Sequence, residues 1–180
     1  MNFIIFDLEA TCWQGKPPGL VQEIIEIGAY LMTPYGEVIG EYNRFVRPHL
    51  NPHLSSFCQE LTSIEQEDVD RAAYFPDVIE EFQDWAGILE EEYLLCSWGR
   101  FDRTLLRQDC ELHQMESDWT DQHINIKAQY RDLHRLSRAV GLKKAIRREG
   151  LEFEGTHHRA IDDAANLLRI FVKYLDVWRY

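Results

Sequence analysis

The stretch Asn2-Phe-Ile-Ile-Phe-Asp-Leu-Glu-Ala10 sets four apolar residues in a row before two acids one residue apart. Asn2 to Leu8 has the length and apolar content of a central strand, and Gly15, Pro17, Pro18 and Gly19 read as the loop that ends it. Because strand side chains alternate, Phe3, Ile5, Asp7 and Glu9 share one face. Two carboxylates thus leave a core face side by side, where like charges repel. Solvated acids at an exposed strand end account for the pair taken alone. A divalent metal ion would relieve the repulsion, because magnesium and manganese are hard cations that prefer oxygen ligands.

Around this strand, Val21 to Met32 and Glu37 to Val46 flank Thr33-Pro34-Tyr35-Gly36, which predicts an antiparallel hairpin. Ser55 is a candidate helix cap, and Asp77 to Leu89 has helical apolar spacing. Tyr93 to Trp98 reads as a further strand. It is followed by a helix with Phe101, Leu105, Leu106 and Cys110 on its apolar side. Helical segments are expected at Ala128 to Val140, Lys143 to Arg148 and Ala160 to about Val177. The last carries an apolar stripe at Ile161, Ala164, Leu168, Phe171, Val172 and Leu175. A hairpin followed by alternating strands and helices predicts an α/β fold, a mixed sheet with helices on its faces.

The 180 residues, 45% hydrophobic and 12% aromatic, suffice for one domain with a real core, and residues 1–180 read as a single domain. No apolar run approaches membrane-span length, and MNFIIFDLEA does not have the pattern of a secretory leader. Cys12, Cys58, Cys96 and Cys110 form no CxxC pair, so reduced thiols and a soluble, cytoplasmic protein are expected. The net charge of −12 argues against a broad basic face gripping duplex DNA, yet suits a site that concentrates carboxylates around cations. Basic residues cluster locally at Arg100, Arg103 and Arg107, and at Lys143, Lys144, Arg147 and Arg148; solvated helix faces explain them as well as phosphate contacts do.

Two more acids join the first pair. Asp102, in the first turn of its helix with Leu105 and Leu106 three and four positions on, is expected to face the sheet instead of serving only the helix dipole. In the segment from His158 to Asn166, Asp162 has polar neighbours at helical spacing, whereas Asp163 has Ala160 and Leu167. Asp163 is therefore the candidate ligand. His158 stands one turn from it, within reach of a water beside a metal, and His157 reads as a solvated or capping residue.

These residues form a recognisable pattern. Phe6-Asp-Leu-Glu-Ala-Thr11, Ser97-Trp-Gly-Arg-Phe-Asp102 and His158-Arg-Ala-Ile-Asp-Asp163 resemble the three motifs of DEDDh exonucleases in the ribonuclease H-like superfamily. Gln22 to Gly28, Phe45 to Pro48, Leu54 to Cys58, Leu61 to Gln66, Ile124 to Lys127 and Phe153 to Thr156 are similar to the branch holding the histone-mRNA 3′-end exoribonuclease and the sporulation-inhibitor KapD-like exonucleases. The resemblance implies a five-stranded mixed sheet and 3′-to-5′ hydrolysis of RNA or short single-stranded ends to nucleoside 5′-monophosphates. It also implies two divalent ions, Mg2+ or substituting Mn2+, on Asp7, Glu9, Asp102 and Asp163, with His158 as general base. Leu8 would wedge against terminal bases, the backbone around Glu9, Ala10 and Thr11 would meet the terminal ribose, and Phe101 or Trp13 would stack on a base. Trp13 and Phe101 are equally readable as core or cover residues, and Glu26 and Gln66 as supporting ones. No additional nucleic-acid-binding domain is recognised, so substrate capture falls to this domain or to a protein partner. RNA against DNA stays open, as do a small-molecule phosphodiesterase and a catalytically silent nucleic-acid-binding module.

Overall fold

Strand β1 (Asn2–Ala10) is central because both of its faces are apolar. Ile4, Phe6 and Leu8 enter one core and Phe3 and Ile5 the other. The computed structural model describes residues 1–15 and 17–180; Lys16, within the expected loop, lies outside them. Strands β2 (Ile24–Met32) and β3 (Val38–Phe45) form the hairpin, with Gly36 at φ 86° in its turn, a conformation that favours glycine. With β4 (Tyr93–Ser97) and β5 (His123–Asn125) the sheet order is β3-β2-β1-β4-β5. The first three strands are antiparallel neighbours, and β1, β4 and β5 run parallel. The mixed five-stranded sheet of a ribonuclease H-like fold is thus present. The three-residue β5 is too short for apolar periodicity to mark it.

Helices α3 (Phe75–Ala86) and α4 (Phe101–Leu112) cover one face through Val78, Ile79, Phe82, Leu105 and Leu106. Between β3 and α3, α1 (Ser56–Thr62) and α2 (Gln66–Asp70) build a smaller cluster around Ile25, Cys58 and Val69. Ser55 does cap α1, its side chain accepting the Cys58 N–H. The other face is covered by α5 (Ile126–Leu133), α6 (Leu142–Arg148) and α7 (Ala160–Lys173).

Three helical expectations are corrected. α5 stops at Leu133 because Arg135 turns left-handed at φ 50°. The Leu136 and Arg135 N–H groups then donate to the Arg131 and Asp132 carbonyls, a Schellman termination made without its usual glycine. α7 ends at Lys173 and is rotated relative to the expected stripe: Asp163, Asn166, Leu167 and Ile170 are buried, while Val172 is 42% exposed. Asn166 is tolerated inside because its amide donates to the Glu154 and Asp162 carbonyls and accepts the Glu154 N–H. Phe101 is 53% exposed instead of lying on the apolar side of α4.

The seating of α7 depends on Gly28. A Cβ there would lie 2.2 Å from the Ile161 nitrogen and 2.3 Å from the Ala160 carbonyl carbon, both main-chain atoms that cannot step aside. Gly28→Ala is expected to destabilise the fold by about 3 kcal/mol, the upper part of the overpacking range. Chemical denaturation checks this, and a loss below about 0.5 kcal/mol, the size of an ordinary surface substitution, would show that α7 can lift freely.

Candidate active site

The carboxyl end of β1 carries Asp7 and Glu9, just before the pairing with β2 slips between Glu9 and Ala10. The first turn of α4 adds Asp102, and the first turn of α7 adds Asp163. All four acids line one cavity of about 270 Å³ together with His157 and His158, and Leu8, Trp98, Phe101 and Leu142 form its apolar walls. Ligand atoms of Asp7, Glu9 and Asp163 lie within 4.8 Å of one another. Asp102 is 6% exposed and Asp163 4%, so both face inward as their helical neighbours predicted.

Burial dominates the electrostatics. It raises the Asp7 carboxyl well above the usual range, and the charges of Asp102, Asp163, Glu9 and Glu26 add to the effect. Burial and the charges of Asp163 and Glu26 push Glu9 up to about 9. Asp102 is pushed up by burial to about 6, against hydrogen bonds from Ser97 and the backbone. Among the described residues no ion pair joins Lys or Arg to Asp7, Glu9, Asp102 or Asp163; the one partner is His157, its Nδ1 3.0 Å from Asp163 Oδ1. Buried carboxylates without a cationic partner are costly. An all-oxygen set of this kind fits a hard divalent cation, which would supply the missing charge.

The segment before α7 is tightly determined. His158 adopts φ 67°, uncommon for a residue with a side chain, and its N–H donates to Asp163 Oδ2 at 3.0 Å. Its ring stacks on His157, with centroids 4.0 Å apart. His157, expected to be a solvated or capping residue, is thus a partner of Asp163 and His158. Burial, followed by the charge of His157, lowers the His158 pKa, while Asp163 opposes the shift. Asp162 is turned back to accept the Thr156 N–H at 2.7 Å, so it fastens the loop and stays out of the cavity.

Glu26, wholly buried, accepts from Arg159 Nη2 at 3.0 Å and from the Ala160 N–H at 2.9 Å, binding the start of α7 to β2. Gln66 is structural: its amide accepts the Leu54 N–H and donates to the Pro52 carbonyl. Ala10 and Thr11 do not line the cavity. The Thr11 hydroxyl accepts the Glu23 N–H and its carbonyl accepts from Gln22, so only Leu8 and Phe101 of the expected substrate contacts border the open space. Trp13 lies at a separate depression with Cys12 and Leu20. Trp98 and Leu142 are additions. Trp98 belongs to the Ser97–Asp102 motif; nothing in the sequence around Leu142 signals it.

A ribonuclease H-like sheet with buried acids converging at the end of its central strand defines a nuclease-type site. The chain belongs to the exonuclease family RNase_T, which matches residues 4–171. It is 34% identical to human 3′-5′ exoribonuclease 1 over 179 residues, 95% of this chain and 51% of the relative. It is 28% identical to the probable 3′-5′ exonuclease KapD of Bacillus subtilis, over 94% of this chain and 82% of KapD. The crystal structure of the nuclease domain of 3′hExo, a DEDDh family member bound to rAMP, superposes with a TM-score of 0.91. That match has 33% identity and covers 97% of this chain and 92% of that one. The chain spans about half the length of the mammalian relatives it matches. Among the described residues, no helix is long and apolar enough to cross a membrane.

Proposed function

We propose that residues 1–180 form a single metal-dependent 3′-to-5′ exonuclease domain that hydrolyses single-stranded ends, RNA in preference to DNA, to nucleoside 5′-monophosphates. The observation that carries this reading is the convergence of Asp7, Glu9, Asp102, Asp163 and His158 on one cavity. The four carboxylates would hold two divalent ions, Mg2+ with Mn2+ able to substitute, which when bound activate water and neutralise charge on the phosphate and the departing 3′ oxygen.

His158 takes the proton of the attacking water. Its lowered pKa keeps the imidazole neutral and able to accept near pH 7. The water oxygen bonds to phosphorus as the bond to the 3′ oxygen breaks, and that oxygen collects a proton. Asp163 accepts the His158 N–H and so fixes its backbone; replacing Asp163 therefore also disturbs the placing of His158. Leu8 and Phe101 offer apolar surface for a terminal base. The ribonucleotide on the 3′hExo domain supports the RNA preference, and four thiols outside any disulfide suit a cytoplasmic setting.

The experiment is degradation of 5′-labelled single-stranded RNA and matched DNA with Mg2+ or Mn2+, with EDTA and His158→Ala controls. Expected is a ladder shortening from the 3′ end, faster on RNA, abolished by EDTA and slowed about 10²- to 10⁴-fold in His158→Ala. Equal rates on DNA would make it a DNA-type exonuclease, and an intact label with metal present would leave a binding module.

A further inference from the structure

The segment Arg135-Leu-Ser-Arg-Ala-Val-Gly-Leu-Lys-Lys-Ala-Ile-Arg-Arg148 holds six of the nineteen basic residues of a chain of net charge −12, and no acid. Arg135, Arg138, Lys143, Lys144, Arg147 and Arg148 are all exposed. The other basic cluster is different: Arg103 and Arg107 both pair with Asp121, and Arg103 also donates to the Thr120 carbonyl. Among the described residues, no ion pair involves any of the six in this segment.

The nearest acid in sequence, Glu149, is turned away from them. Its side chain is 4% exposed and is held by the Tyr130 and Tyr174 hydroxyls and by Lys173 at 2.7 Å. These partners, with Lys173 and the two tyrosines outweighing burial, keep its carboxyl down at about 2, so it remains an anion spent on the interior. The fold has therefore internalised the charge that would otherwise have neutralised the surface.

The middle of the segment lies at the active-site cavity. Leu142 is one of its walls, the indole of Trp98, another wall, donates to the Val140 carbonyl at 3.1 Å, and Lys143 is near enough for its charge to act on His158. From Leu142, α6 carries the basic residues away from the cavity for about 9 Å at ~1.5 Å per residue.

The geometry points to a track for the phosphates of a single strand whose 3′ end lies in the cavity, with the loop from Arg135 and helix α6 binding the nucleotides upstream of the scissile bond. The inference rests on the nuclease reading and assigns its substrate capture to this surface. A polyanionic backbone is the matching partner, since cations on such a face release condensed counterions when they meet phosphates. The contacts are sequence-independent and predict strong salt dependence.

The test combines Arg138→Gln, Lys144→Gln and Arg147→Gln and leaves Lys143, beside His158, in place. Binding of a 15-nucleotide labelled single strand, a length of about one domain's footprint, is measured against salt in a His158→Ala background. Hydrolysis of that strand and of a dinucleotide is measured with His158 intact. The triple variant should shallow the slope of log K against log salt by about 2 and weaken binding about tenfold or more. It should slow the long substrate and leave the dinucleotide unchanged. Unaltered affinity and slope would overturn the track, as would an equal loss on the dinucleotide or preferential binding of the basic face to anionic vesicles. If the unmutated protein cleaves neither substrate, the nuclease reading falls while the salt slopes still decide the track.

Discussion

Asp7→Asn is expected to abolish the proposed hydrolysis and at the same time make the metal-free protein more stable. Asp7 is partly buried at the cavity wall, faces three other acids and gains no cationic partner from the fold. In the metal-free protein its charge is a liability, and the neutral amide of nearly equal size removes it. A gain of about 1–3 kcal/mol is expected, the cost of an unsatisfied buried polar or charged group. For a chain of this length that raises Tm by roughly 2–4 °C per kcal/mol. Divalent metal should reverse the ranking. Binding to the folded state alone adds about 2.7 kcal/mol at a hundredfold excess over Kd, so the unmutated protein should gain Tm on Mg2+ or Mn2+ and the variant far less. Turnover should fall about 10³-fold or more, because several kcal/mol of transition-state stabilisation depend on the ions.

The pH dependence follows the same logic. Glu9 binds its proton more tightly folded, at about 9, than unfolded, near 4.5. In that window the folded state holds the extra proton, so stability of the EDTA-treated protein should fall as pH rises from 5 towards 9. Thermal unfolding with EDTA and with Mg2+ across this range separates the cases. A destabilised Asp7→Asn, or Tm values indifferent to metal, would make the cluster a structural proton-sharing network instead of an ion site.

The readable and unreadable parts of the chain divide along physical lines. β1 was legible because a short apolar run closed by a Gly- and Pro-rich loop suits a strand buried on both faces, and Asp7 and Glu9 stood out because nothing in that strand required them. Asp163 was separable from Asp162 because Ala160 and Leu167 mark the buried side of α7, where Asp163 lies. The phase of the rest of α7 was not legible: Asn166 is buried through hydrogen bonds to residues as distant as Glu154, which no apolar count detects. His157 was misread for a related reason. Its role depends on the left-handed turn at His158, which brings its ring to Asp163, and no glycine announces that turn. Leu142 reaches the cavity only because the segment between α5 and α6 folds back beneath Trp98.

Glu26 reads in the sequence as a supporting residue, and the structure ties it to the start of α7. Its carboxylate simultaneously pairs with Arg159 and accepts the first N–H of α7, where a negative group also meets the positive end of the helix dipole. Glu26→Ala removes both and leaves Arg159, three-quarters buried over the Phe45 ring, without its partner. Breaking a buried pair from one side costs about 3–5 kcal/mol; the partial exposure of Arg159 places this case near ~3 kcal/mol, or roughly 6–12 °C in Tm. Glu26→Gln keeps an acceptor for the Ala160 N–H and should recover much of that loss. Because the same first turn of α7 fixes Asp163 and, through it, the His158 backbone, the effect should extend beyond stability. Well below its Tm, Glu26→Ala should need about 10- to 100-fold more metal for half-maximal activity, as when other groups that orient metal ligands are removed. It should also show a lower kcat at saturating metal, and Glu26→Gln should fall between. A Glu26→Ala protein with a lowered Tm but an unchanged metal midpoint and kcat would confine Glu26 to holding the helix, and would mean that Asp163 finds its place without it.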